Sequence, residues 1–383
     1  MGLHRNTAYL KTNITIRLKG YAHVLFLVSN LESSAKLNFT YNGFSSANLS
    51  VDGVANITRN GLLELTNETK PSIGLAFHPA RINFKNSNGT ALSFSSSFVF
   101  DTFSNVPALK GHGMVFVIAP NLGLRRSRAD EYLGVFSPIN DGKSTNHVFA
   151  FEIDTNYVPA FNDTNGNHVG IDINSIYSDV TSLAGYHDDN INGAFRNLSL
   201  FSGKAMQIWL EHDDLNKKIL VTLAPIKPKI PLWSLARDLS PILDEFMYVG
   251  FSAATGSSLA SHHYVLGWSL TISGHAQELN ISQLPRLPHI GPKKRSMSDV
   301  QTTLHGFSAL AQRFGSNMSE QQEEELYLMW REMVVLLKDS APDVRPVKEV
   351  SPMLLQAIRT VWQSLCITTS TPIYDAGQAF HPL

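Results

Sequence analysis

The sequence predicts an all-β fold, a sandwich or jelly roll of antiparallel sheets over roughly residues 38–282. Three observations carry this. Apolar and β-branched runs recur between Gly, Asn, Ser and Pro punctuation. Helical periodicity is scarce in that span. Hydrophobic content of 43% against 16% charged residues gives a packed core, while a lone cysteine, Cys366, excludes an intrachain disulfide framework and any Cys-based zinc site.

The chain opens on a leader-like segment, 1–35. Tyr21-Ala-His-Val-Leu-Phe-Leu-Val is a short apolar stretch, preceded by Lys11, Arg17 and Lys19 and followed by Ser33-Ser34-Ala35. A secretory signal has this order of charge, apolar stretch and small residues. A buried strand is the competing reading. The main domain, 36–283, is expected to contain strands at Phe94 to Phe100, Gly113 to Ala119, Val148 to Asp154 and Gln207 to Glu211. Others are expected at Lys218 to Ala224, Phe246 to Ala253 and Tyr264 to Ile272. A Pro-rich, basic linker over 284–300 follows, including Leu284-Pro-Arg-Leu-Pro. The tail, 301–383, changes character. Ser319-Glu-Gln-Gln322 reads as a capping box, and Leu326, Trp330, Met333 and Leu337 repeat at helical spacing. Ser351-Pro352 opens a second candidate helix with Leu354, Ile358, Val361 and Leu365 on one face. Two short helices hardly make a domain alone, so a short, poorly ordered appendage is expected.

Composition also narrows function. A net charge of -1 leaves no polybasic footprint for nucleic acid. No stretch reaches the ~20 apolar residues of a membrane helix. Asn-X-Ser/Thr acceptors begin at Asn13, Asn38, Asn48, Asn56, Asn67, Asn88, Asn162, Asn197, Asn280 and Asn317. Their density favours a secreted glycoprotein, with Asn162, beside the acidic cluster described next, expected to stay unmodified.

That cluster spans Glu152-Ile-Asp-Thr-Asn-Tyr-Val-Pro-Ala-Phe-Asn-Asp-Thr-Asn-Gly-Asn-His168. Residues two apart on a strand share a face. Glu152 and Asp154 therefore emerge together, with Phe149, Phe151 and Ile153 opposite. A loop rich in Asn, Pro and Gly then folds Asp163 and His168 back toward them. Carboxylates suit Ca²⁺ or Mn²⁺, and an imidazole shifts preference toward a transition metal. A solvated acidic strand end is the alternative. His187-Asp188-Asp189 reads as a solvated turn.

Further stretches carry a resemblance. Phe39-Thr-Tyr-Asn-Gly-Phe, Asn60-Gly-Leu-Leu-Glu-Leu-Thr-Asn, Ser96-Ser-Phe-Val-Phe and Gly111-His-Gly-Met-Val-Phe-Val-Ile-Ala-Pro120 come first. Tyr132-Leu-Gly-Val-Phe136, Asn167-His-Val-Gly-Ile-Asp-Ile-Asn-Ser175, Val249-Gly-Phe-Ser-Ala-Ala-Thr-Gly256 and Tyr264-Val-Leu-Gly-Trp-Ser follow. In this order they resemble the legume lectins, above all the extracellular lectin domain of plant L-type lectin receptor kinases. The resemblance implies a jelly-roll sandwich and a paired metal site. Glu152, Asp154, Asp163 and His168 match the Mn²⁺ ligands. Asp154 and Asp163 would bridge to Ca²⁺, with the backbone carbonyl of Asn156 as a further ligand. Val158 stands where the family carries an Asn that binds both Ca²⁺ and sugar, which weakens the calcium half. His112 stands at the family's sugar-binding Asp, a change common in the receptor branch, and Glu131 at a Gly whose amide contacts sugar. Ser257 and Ser258, in the remaining sugar loop, and Phe161, as a face for a sugar ring, complete the candidate carbohydrate site.

The function expected is extracellular carbohydrate binding, directed at cell-wall or microbial glycans or glycoproteins. The chain would be a truncated or rearranged receptor, secreted to the apoplast or held at the plasma membrane by full-length receptors. The sequence contains no Gly-rich phosphate loop, His-Arg-Asp or Asp-Phe-Gly motif of a kinase. A homodimer through a sheet face is one expected assembly. The rival readings are a sugar-independent protein or apolar-ligand module and, more remotely, a metal-assisted hydrolase using the Glu152–His168 cluster. No Gly-X-Ser-X-Gly elbow supports the last.

Overall fold

A computed structural model of the chain describes residues 37–69, 71–104, 111–124, 127–256 and 261–288. The expected leader, both tail helices and most of the linker lie outside the described residues. Every described strand pairing is antiparallel, and the strands form two sheets of eight with a separate two-stranded ribbon.

The first sheet runs Trp233–Ala236, Lys218–Ala224, Met206–Asp213, Phe94–Phe103, His262–Ile272, Leu63–Thr66 and Asn56–Ile57, with Asn38–Tyr41 also on His262–Ile272. The second runs Ser178–Leu183, His168–Ile173, Phe149–Asp154, Gly113–Ala119, Phe246–Thr255, Ser72–Phe77 and Ser50–Gly53, with Ile82–Asn83 also on Phe246–Thr255. Gly185–Asp188 and Ala194–Asn197 make the ribbon.

Alternation along the strands explains the layers. Phe94, Phe98 and Phe100 meet Phe116, Phe149, Phe151, Phe251 and Trp268 in the main core. The other face of the second sheet is also covered. Val115, Val117 and Ala150 pack there with Leu133, Val135 and Phe136 from a loop. Burial on both faces is why Gly113–Ala119 reads as a continuous apolar run. On the outer face of the first sheet, Val99, Phe103, Tyr264 and Leu266 pack with Leu279, Leu284 and Leu287. The start of the predicted linker is therefore part of the folded body.

The expected strands all form. Phe94–Phe103, Met206–Asp213, Phe246–Thr255 and His262–Ile272 run longer than their apolar text, because polar residues such as Thr102, Thr255 and His263 are buried within them. Val148 falls just outside its strand, where its amide donates to Asn174 Oδ1 at 2.8 Å.

Candidate metal centre and neighbouring loops

The Phe149–Asp154 strand sends its phenylalanines and Ile153 into the main core. Period-2 geometry then forces Glu152 and Asp154 to the opposite face. The loop 155–167 reverses the chain, and the next strand begins at His168, directly opposite Asp154 in the antiparallel ladder. Glu152, Asp154 and His168 are all buried, and one ligand atom from each lies within 4.8 Å of the others.

The imidazole is oriented for metal binding. His168 Nδ1 lies 2.6 Å from the Asn165 carbonyl, which can only accept, so Nδ1 carries the proton. Nε2 faces the carboxylates. It sits 3.2 Å from Glu152 Oε1, yet forms no directed hydrogen bond among the described residues. A buried lone pair against a carboxylate needs a proton or a cation between them. Burial, reinforced by the charges of Asp163 and Glu152 against the opposing pull of His168, holds Asp154 well above the usual carboxylate range. Burial opposes charge on His168, but contact with Glu152 and the nearby Asp154 and Asp163 pushes its pKa up to about 10. A divalent cation would relieve this frustration without protons.

Two supporting residues were not singled out in the sequence. Ser178 Oγ lies 2.5 Å from both Glu152 Oε1 and Asp172 Oδ1, and its single hydroxyl proton can be donated to one of them at a time. Asp172 is fully buried, and burial, aided by the Glu152 charge, raises its pKa well above normal. The pattern His168-Val-Gly-Ile-Asp172-Ile, alternating like the preceding strand, is the signal that places Asp172 on the ligand face.

The predicted calcium half is arranged differently from a simple carboxylate cluster. Asp163 lies outside the tightest ligand group. Its Oδ2 accepts from the Val158 amide at 2.7 Å. The Val158 side chain is buried and offers no oxygen. Asn156 donates its backbone N–H to Asp154 Oδ1 at 2.6 Å.

The predicted sugar residues converge only in part. His112 is buried beside the acidic loop, where Thr155 N donates to the His112 carbonyl at 3.2 Å and Asn156 Nδ2 lies 3.1 Å from His112 Nδ1. A short 3₁₀ turn, Asp130–Tyr132, brings Glu131 to the same region. Phe161 packs edge-on between Tyr132 and Tyr177, with ring centroids 5.2 and 5.4 Å away, and stays half-buried. Ser257 and Ser258 lie outside the described residues. His187-Asp188-Asp189 is a capped turn: Asp188 accepts from the Asn190 amide and pairs with Arg196.

Comparison with known proteins gives a consistent picture. The legume lectin domain profile matches residues 36–286. The L-type lectin-domain containing receptor kinase IV.1 of Arabidopsis thaliana is 51% identical over 270 residues, covering 69% of this chain and 40% of that protein. The L-type lectin-domain containing receptor kinase SIT2 of Oryza sativa subsp. japonica is 46% identical over 263 residues, covering 67% of this chain and 39% of the relative. The chain thus spans about two fifths of the length of these relatives. Among solved structures, the lectin UEA-II complexed with galactose aligns at a TM-score of 0.51 and 30% identity, over 62% of this chain and 99% of that one.

Proposed function

Since the chain belongs to the legume lectin family, we propose that it is an extracellular carbohydrate-binding protein whose sugar site is organised by cations. The observation that carries this reading is the buried His168 Nε2 set against the carboxylates of Glu152 and Asp154. Glu152, Asp154, Asp163 and His168 would hold Mn²⁺. Asp154, Asp163 and the Asn156 carbonyl would hold Ca²⁺. When bound, the cations neutralise the carboxylates and stiffen the loop; they perform no chemistry on the sugar.

This chain's residues supply the rest. Asn156 and Thr155 fix His112 from the acidic loop. Glu131 would accept hydrogen bonds from sugar hydroxyls, and His112, Ser257 and Ser258 would accept or donate them. Phe161 would cover the apolar C–H patch of a ring. Apart from Asn162, six described sequon asparagines, Asn38, Asn48, Asn56, Asn88, Asn197 and Asn280, are exposed, which supports a secretory route. No helix among the described residues is long and apolar enough to cross a membrane. Cell-wall or microbial glycans or glycoproteins are the partners we assign. Receptor association at the plasma membrane and a homodimer through a sheet face belong to the same reading.

A glycan array on the intact chain, with and without chelator, tests it. Glycan retention that weakens when metal is stripped is the expected result. Retention at unchanged affinity after stripping contradicts cation organisation. Silence across the array from a folded protein favours a protein or apolar ligand, the reading to which Val158 and Glu131 point. Glycan hydrolysis dependent on Glu152 would revive the hydrolase.

A further inference from the structure

We infer that Asn197 carries an N-linked glycan whose first N-acetylglucosamine lies on the ring of Phe195. The inference rests on the secretory route proposed above and goes beyond it, to one modification site and the surface that holds its sugar. Phe195-Arg-Asn197-Leu-Ser199 places an aromatic residue two positions before the acceptor asparagine, and no other sequon of the chain has one there. Residues two apart on a strand share a face. Phe195 and Asn197 both lie on Ala194–Asn197, one strand of the two-stranded ribbon. Both are exposed, Phe195 at 41%. Ser199, the other residue that defines the sequon, is exposed as well.

The ring is held beside the acceptor by the protein alone. Across the ribbon Asn197 is paired with Gly185, and Phe195 with His187. The edge of the Phe195 ring occupies the space that a side chain at Gly185 would need. The ring therefore leans along the ribbon toward the Asn197–Gly185 pair. His187 meets it edge-on, with ring centroids 5.6 Å apart. The His187 ring is itself fixed, because its Nδ1 lies 3.0 Å from the Gly193 carbonyl, which can only accept.

The chemistry suits this surface. The donor is an oligosaccharide carried on a lipid diphosphate, and the host's transferase supplies catalysis. A bond forms between Asn197 Nδ2 and the anomeric carbon. The bond from that carbon to the phosphate oxygen breaks, the lipid diphosphate leaves with the electron pair, and the amide loses one proton to base. A sugar begun at Nδ2 starts next to the Phe195 ring, whose apolar body can cover the sugar's C–H patch while the hydroxyls stay wet. A two-stranded ribbon is marginally stable alone, so such cover registers as stability.

The test is glycopeptide mass spectrometry on the intact chain expressed in a eukaryotic host that adds mannose-rich glycans, followed by a melting cycle. An endoglycosidase first trims every glycan to one N-acetylglucosamine. The cycle compares wild type, Ser199→Ala, Phe195→Ala and F195A/S199A. Ser199→Ala removes the sugar but keeps Asn197, and the Phe195→Ala background cancels any effect of the hydroxyl itself. Asn197 is expected to be modified. Wild type should melt about 2 °C above Ser199→Ala, whereas the two Phe195→Ala proteins should melt together. Phe195→Leu, apolar without an aromatic face, takes the place of Phe195→Ala if that variant does not fold. A bare Asn197 beside occupied sequons elsewhere overturns this inference alone. No modified sequon at all overturns it together with the secretory reading. An equal effect of Ser199→Ala in both backgrounds, zero included, overturns the contact with Phe195.

Discussion

Asn156 joins the acidic loop to the ligand loops: its Nδ2 lies 3.1 Å from His112 Nδ1, while its backbone N–H donates to Asp154 Oδ1. One residue thus senses the carboxylate cluster through its main chain and positions His112 through its side chain. Asn156→Ala removes only the second link. A hydrogen bond of this kind contributes about 1 kcal/mol, or roughly fivefold in affinity. Glycan affinity measured by calorimetry should fall about fivefold, with Mn²⁺ content by elemental analysis unchanged. Loss of bound Mn²⁺ in the variant would show that the side chain serves the metal instead.

Val158 offers a gain-of-function test. Its side chain is buried and its amide already donates to Asp163. Val158→Asn introduces the oxygen ligand that the resemblance implies for that position. Burying an unpaired amide costs about 1–3 kcal/mol. The variant should melt lower than wild type in chelator, yet gain more from added Ca²⁺ because ligand binding to the native state raises stability. Scanning calorimetry with and without Ca²⁺ reads both effects. An equal Ca²⁺ increment in the two proteins would remove position 158 from the calcium site.

Gly170 faces Glu152 across the ladder, and a methyl there would clash with Glu152 Oε1 and Ser178 Oγ. Gly170→Ala should displace both groups. Disturbing the partners of metal ligands typically costs on the order of 10–100-fold in metal affinity, and overpacking adds about 1–3 kcal/mol of destabilisation. Mn²⁺ titration against a competing chelator checks the first effect. Wild-type affinity would mean that the strand yields at no cost to the site.

The legible and illegible parts of the site divide along a physical line. Period-2 alternation sufficed to put Glu152 and Asp154 on one face, because strand geometry is local. The same rule applied to His168, Gly170 and Asp172 would have recovered Asp172, whose strand was not read for its faces. The His168–Asp154 pairing follows from a loop reversal whose length the sequence shows but whose register it does not. Ser178 comes from the next strand, Ser178–Leu183, short and half-exposed, with none of the apolar text that marks a core strand. The meeting of Asp130 and Glu131 with His112 depends on packing between distant loops, and no spacing rule encodes it.

Asp101 makes a prediction about pH and stability. It is fully buried opposite Tyr264, and neither oxygen has a well-directed hydrogen bond among the described residues. Burial pushes its pKa up to about 6, against 3.8 ordinarily, with only partial relief from the Thr102 amide. A folded value above the unfolded one means that the neutral acid is favoured in the fold. Its contribution is fully present below pH 3.8 and is lost as pH rises through about 6. The ionised form thus costs roughly 3 kcal/mol at neutral pH, from about two units at 1.36 kcal/mol each. Asp101→Asn removes the charge while keeping the shape. It should raise the melting temperature at pH 8 and leave it nearly unchanged at pH 4. A melting difference that is the same at both pH values would show that Asp101 is not held neutral by its burial.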